Sequence, residues 1–288
     1  MGFKLCLNLG TINHLDYETQ LRVSSQAGFK AVGLHMIRLE EYLYSGHTLD
    51  DAVGALRRNH LNAAEVVFMP DWVSARGRGK KQVLARLEYI CSTMERMESP
   101  ILIANTLGEK EYDQALAQDN FGELCRVASR YGVLIALEYL PWTSLDTIKK
   151  AWDIVRAVNL SNGGIVLDTF HYFKGHPSPK DLYEVPIEKI FIVHLDDLED
   201  VEADLVTLTR RHRVAPGEGI FNFDEVLEYL FSTEYKGYYS LEILNRNHAL
   251  LDPLELATRL KLNTERLIED YARKFEKVSP PGPGRGKY

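Results

Sequence analysis

IVLDTFH, residues 165–171, is the stretch on which the fold turns. Three apolar residues, two of them β-branched, run into Asp168, and His171 follows three positions later; the pattern reads as a buried strand ending in polar groups. In a barrel of parallel strands that C-terminal tip is where chemistry is placed, because the loops after the strands form the open face of a packed interior. Three other apolar runs end the same way: VLIALE at Glu138, IFIVH at His194 and YYSLE at Glu242. The segments between these runs can each hold a helix, so successive strands would deliver four polar side chains to one level.

Upstream, KLCLN (4–8), AVGLH (31–35), AAEVVF (63–68) and ILIAN (101–105) read as four earlier strands. Helical spacing fills the intervals at 16–27, closed by Gly28, at 48–59, with Asp50 and Asp51 in its first turn, at 80–97, and at 118–131, ended by Gly132. After strand five, Ser144 is expected to cap a helix carrying Leu145, Ile148, Trp152 and Val155 on one face. The 174–188 connection is proline and polar residues with one short helical piece near Asp181, and IFIVH is followed by an acidic loop. RVAPGEG (213–219) reads as a turn, 224–231 as a helix, and Asp252-Pro253 starts a last helix running to about residue 275. Eight alternations make a single-domain α/β (β/α)8 TIM barrel over 1–276 the expected architecture, with 277–288 a tail disordered by composition. The competing open, doubly wound sheet lacks its glycine-rich phosphate fingerprint after any early strand.

With 288 residues, 45% hydrophobic and 26% charged, the chain can bury a large core. Its net charge of −7 argues against a surface built to neutralise phosphates. RGRGKK (76–81) is a local exception and reads as a solvated helix start. Cys6, Cys91 and Cys125 are an odd number with no CxxC pair, which fits a reducing cytoplasm. No run approaches the roughly 18 apolar residues of a membrane span.

Glu138, Asp168, His194 and Glu242 together make a hard, oxygen-rich donor set for one divalent ion. Mn²⁺, Co²⁺ or Mg²⁺ suit it, and Zn²⁺ would also fit. An ion held by two glutamates can chelate a ketone and its neighbouring hydroxyl, acidifying the intervening C–H.

ALEYLP (136–141), VLDTFHYF (166–173), KIFIVHLDDLED (189–200), RVAPGEG (213–219) and SLEI (240–243) carry a family resemblance. From KLCLN to the last helix the chain resembles the xylose isomerase-like barrels of the sugar phosphate isomerase/epimerase family, and within it the inosose isomerase type of inositol catabolism. The resemblance implies that Glu138, Asp168, His194 and Glu242 ligate the metal. It further implies that Glu138 and Glu242 move the proton through a metal-bound enediolate, and that His171 and Arg213 contact substrate oxygens. Arg213 could instead pair with the acids at 196–200. Many relatives carry a glutamate where strand two here ends in His35, a candidate substrate contact; Trp142 could stack on a sugar face or pack a loop. The expected activity is isomerisation or epimerisation of a keto-sugar or keto-inositol, with a dehydratase of the 3-dehydroshikimate or inosose kind as the alternative. The apurinic endonuclease branch is remote, because strands three and four lack its histidines and RHRV stands where its Asp-x-His pair would be. The expected partner is a small polyhydroxy ketone, with no nucleic acid and no membrane; a homodimer is compatible with this reading.

Overall fold

A computed structural model of the chain describes residues 3–108 and 112–278. Eight strands form the barrel: β1 (Lys4–Asn8), β2 (Ala31–His35), β3 (Asn62–Val67), β4 (Ile101–Asn105), β5 (Leu134–Glu138), β6 (Gly163–Asp168), β7 (Ile190–Leu195) and β8 (Tyr238–Leu241). All neighbours pair in parallel, and the order β1-β8-β7-β6-β5-β4-β3-β2 closes on itself. Parallel strands covered on both faces must be apolar throughout, which is why these segments read as continuous runs. Leu7, Val32, Leu102, Leu137, Leu167 and Val193 belong to the large core shared with the helices. Val67, Ile101, Ile103, Ala136, Val166 and Ile192 form a second cluster that fills the barrel.

The helix boundaries follow local chemistry. Asp16 accepts from the Thr19 amide ahead of α1 (Tyr17–Gln26), and Thr48 and Asp51 form a reciprocal capping box at α3 (Leu49–Arg58). Between them, α2 (Met36–Tyr44) follows β2 without a loop and without a side-chain cap, so no start signal marks it. Gly77–Arg96 forms α4, and two of the four basic residues of RGRGKK are paired at the surface: Arg76 lies 3.3 Å from Asp113, and Lys80 2.8 Å from Asp119 and 3.1 Å from Glu123. Asp113 caps α5 (Gln114–Ala128), which therefore begins four residues before the expected 118. Similarly, Thr147 and not Ser144 caps α6 (Ile148–Val158), leaving Leu145 buried in the preceding loop.

After β6 come α7 (Thr169–Lys174) and α8 (Pro179–Tyr183), the latter being the short piece expected near Asp181. The acidic segment after β7 is more ordered than its composition suggests. It contains α9 (Leu205–Arg211), capped by Asp204, and a two-stranded antiparallel ribbon pairing Asp197–Leu198 with Arg213–Val214. Asp224–Ser232 forms α10, and α11 spans Pro253–Val278, three residues longer than expected; the tail from 279 onward lies outside the described residues. No helix among the described residues is long and apolar enough to cross a membrane.

One glycine is required by the barrel interior. A Cβ at Gly33 on β2 would fall 2.4 Å from Glu65 Oε1 and 2.9 Å from its Cγ. Glu65 cannot swing aside, because hydrogen bonds to Asn8, Ser240 and His194 hold its carboxyl. Gly33→Ala should therefore lower the unfolding free energy by about 1–3 kcal/mol, the usual cost of overpacking a core. The urea midpoint at constant m-value measures it; an unchanged midpoint would show that Glu65 relocates without cost.

Candidate metal centre

β5 ends in Glu138, β6 in Asp168, β7 carries His194 one residue before its end, and Glu242 follows β8 directly. The strand register sets their level: Asp168 pairs with His194, and His194 with Ser240, two residues before Glu242. Alternation then turns Glu242 to the same side as Ser240. All four side chains are buried, and one ligand atom from each lies within 4.8 Å of every other. From His194 Nδ1 the distances are 3.5 Å to Glu242 Oε2, 3.8 Å to Asp168 Oδ2 and 4.0 Å to Glu138 Oε1.

This arrangement fits a divalent cation on two grounds. His194 Nδ1 is buried with no hydrogen-bond partner and faces three carboxylates. Glu65, Glu138, Asp168, Asp196 and Glu242 are also all buried, with Arg213 as the permanent cation in contact with the cluster. So many carboxylates in a low-dielectric interior call for added positive charge. The electrostatics split the two glutamates. Burial pushes the Glu138 carboxyl well above its usual range, reinforced by Glu242. Glu242 is held below the usual range: its own burial opposes this, but His194 and Arg213 outweigh it.

His171 stands in the first turn of α7, where its amide donates to Asp168 Oδ1 at 2.8 Å. Its Nε2 lies 3.2 Å from Arg213 Nη2, while Nδ1 is buried without a hydrogen-bond partner, 3.7 Å from Glu138 Oε1. Burial depresses the imidazole to about 4, with Asp168 opposing and Arg213 adding to the depression, so the ring is neutral near pH 7.

Arg213 is as buried as the four residues of the cluster. Its Nε and Nη2 donate to Thr209 Oγ1 at 3.0 and 2.7 Å, and its Nη1 donates to Asp168 Oδ2 and the Glu242 carbonyl, both at 3.2 Å. It also lies against Asp196, the first of the acids at 196–200, and stacks 4.7 Å over the Phe170 ring. The neighbouring Asp197 organises the loop that follows Arg213, accepting from the amides of Leu198, Gly217, Gly219 and Phe221. A Cβ at Gly219 would sit 2.3 Å from the Leu198 carbonyl, so the last glycine of RVAPGEG permits this close approach.

His35 and Trp142 border the cluster. His35 ends β2 with Nδ1 buried and unpartnered, its ring edge-on to Phe68 at 5.7 Å. Trp142 is half-buried and meets His171 edge to face at 5.5 Å. A cavity of about 610 Å³ opens at this end of the barrel beyond β2 and β3, lined by Met36, Val67, Phe68 and Met69. A larger one, about 700 Å³, lies at the opposite end, where β1 and β8 begin, away from the titratable cluster. The cysteines take no part: Cys6, Cys91 and Cys125 are buried thiols, and burial pushes Cys91 and Cys125 up to about 12.

The sequence reading missed Glu65. Its signal was an acid inside the apolar run AAEVVF, at a position where the alternation demanded a barrel-filling side chain.

Residues 21–269 match the family described as xylose isomerase-like TIM barrel. The chain belongs to that family. An inosose isomerase of Halalkalibacterium halodurans is 29% identical over 277 residues, covering 93% of this chain and 97% of the relative. A 3-dehydroshikimate dehydratase of Pseudomonas aeruginosa is 29% identical over 185 residues, 62% of this chain but 29% of that larger protein. Among solved structures, the IOLI protein with a zinc atom bound superposes with a TM-score of 0.86 at 26% identity, over 93% of this chain and 99% of its own. Membership in this xylose isomerase-like family, with relatives named isomerases and dehydratases, makes the protein an enzyme built on the fold of sugar isomerases and epimerases.

Proposed function

We propose that the enzyme isomerises or epimerises an unphosphorylated keto-inositol or keto-sugar, with Glu138, Asp168, His194 and Glu242 holding one divalent ion. The observation that carries this reading is the convergence of Glu138, Asp168, His194 and Glu242, all buried, with one ligand atom from each within 4.8 Å of every other. Two carboxylates placed on one ion are what a proton removal and return requires. The oxygen-rich set favours Mn²⁺ or Co²⁺, with Mg²⁺ or Zn²⁺ also accommodated. When bound, such an ion supplies Lewis-acid polarisation of the ketone, which acidifies the adjacent C–H.

The side chains then divide the work. Glu242, ionised, removes the proton from the carbon bearing the neighbouring hydroxyl, and Glu138 returns one, so that no atom is gained or lost overall. His171 receives Arg213 at Nε2 and so carries its proton on Nδ1, ready to donate to a substrate oxygen. Arg213, with Nε, Nη1 and Nη2 all engaged, contributes to the substrate through His171. His35 on the Glu242 side and Trp142 on the His171 side are the remaining candidate contacts. In the dehydratase alternative, which the Pseudomonas relative favours, the same proton removal is followed by expulsion of a β-hydroxyl as water.

Incubating the Mn²⁺- or Co²⁺-loaded enzyme with inososes and ketohexoses in heavy water tests the reading. Deuterium should enter the carbon next to the ketone with every hydroxyl retained. Loss of water would instead establish the dehydratase. Neither exchange nor turnover across the panel would refute both.

A further inference from the structure

Glu65 is a carboxyl placed where barrels normally hold aliphatic side chains. It lies mid-strand in β3, fully buried, and reaches across the barrel to β7, where its Oε2 meets His194 Nε2 at 2.8 Å. Its Oε1 accepts from Ser240 Oγ at 2.6 Å and from Asn8 Nδ2 at 3.1 Å, donors on β8 and β1. Gly33 on β2 leaves the space for it. Four strands therefore supply the means to hold one acid in the barrel centre, at the expense of apolar packing. Burying a carboxyl is costly, and a structural role could be filled by an aliphatic residue with no partners to arrange.

The purpose is legible in the ring that Glu65 touches. An imidazole has two nitrogens, and in its neutral form one carries the proton while the other keeps a lone pair. We infer that Glu65 is a positioning residue that fixes the proton of His194 on Nε2, so that Nδ1 presents its lone pair to the three carboxylates and to the cation they hold. Ser240 and Asn8 complete the device: by occupying Oε1 they orient the carboxyl and leave Oε2 as the acceptor for His194. A carboxylate behind a ligating histidine also raises the basicity of the coordinating nitrogen. The inference rests on the proposed metal site.

Glu65→Gln is the decisive substitution because it preserves size. Ser240 and Asn8 would hold the amide oxygen where Oε1 now lies, turning the NH₂ toward His194 Nε2. That nitrogen would then accept, the proton would move to Nδ1, and the ligand atom would be blocked. Zn²⁺ affinity, measured by competition with a chromophoric chelator, should fall about 10–100-fold, the range seen when such outer partners of a metal ligand are changed. Nitrogen-15 spectra of histidine-labelled, Zn²⁺-loaded parent protein should show the His194 proton on Nε2 and coordination through Nδ1. This second measurement needs no variant, so it decides even if Glu65→Gln fails to fold. Coordination through Nε2, or a folded Glu65→Gln protein that binds Zn²⁺ as tightly as the parent, would overturn the inference while leaving the metal site standing. A parent protein that binds no Zn²⁺, Mn²⁺ or Co²⁺ would overturn the site itself, and this inference with it.

Discussion

In enzyme saturated with divalent metal, Glu242→Gln should slow deuterium entry into the substrate by about 10²–10⁴-fold, the span that a positioned acid or base contributes. The amide keeps the size of the side chain and one oxygen donor but cannot take up a proton. Glu138→Gln should behave differently. If Glu242 removes the proton and Glu138 returns it, the Glu138 variant retains exchange through Glu242 while product formation falls by a comparable factor. The two variants separate the roles because exchange needs only the group that removes the proton, whereas product formation needs both. The reverse pattern would exchange the two roles. Unimpaired exchange and turnover in both variants, with metal content verified, would remove the pair from the chemistry.

The barrel was legible because a parallel strand covered on both faces has no choice but to be apolar, and each such run here is short and punctuated. Where that logic weakens, the reading weakens with it. The helix at Met36–Tyr44 carries buried Met36, Leu39 and Tyr42 at regular spacing, but it follows β2 without a turn, so nothing in MIRLEEYLY announces a boundary. Leu205–Arg211 lay hidden because the acids around it suggested a solvated loop; one of them, Asp204, is its cap. At α6, two hydroxyl residues compete for the cap, and the tertiary path of the 139–147 loop, not local propensity, selects Thr147 over Ser144.

The cluster of Glu138, Asp168, His194 and Glu242 could be read because strand ends are fixed by the apolar runs that precede them, and four polar residues in matched positions are hard to explain singly. Partnerships across the barrel leave no comparable trace. Nothing local in AAEVVF says that Glu65 meets His194, which is 129 positions away, or that Gly33 must be small to admit it. Arg213 shows the intermediate case. Its nearness to the acids at 196–200 was visible in the chain, but its bonds to Thr209, Asp168 and His171 depend on how the ribbon of Asp197–Leu198 and Arg213–Val214 folds over the mouth.

Arg213→Met should destabilise the metal-free protein by about 3–5 kcal/mol, the cost of removing one partner from a buried ion pair and leaving the other unmatched. Methionine keeps an unbranched apolar stem but withdraws the guanidinium that stacks on Phe170 and faces Asp168, Asp196 and Glu242. Arg213→Lys keeps the charge and loses the planar fork, so it should fall between the two. Saturating divalent metal should narrow the gap between Arg213→Met and the parent, because a cation among the same carboxylates takes over part of the neutralisation. Chemical denaturation with and without metal measures all three proteins on one scale. Asp196 offers the alternative outcome: burial pushes its carboxyl well above the usual range, with Arg213 pulling it back. If Arg213→Met is as stable as the parent without metal, Asp196 is held as the neutral acid, the ion pair adds nothing to folding, and the guanidinium is kept in the site for the substrate instead.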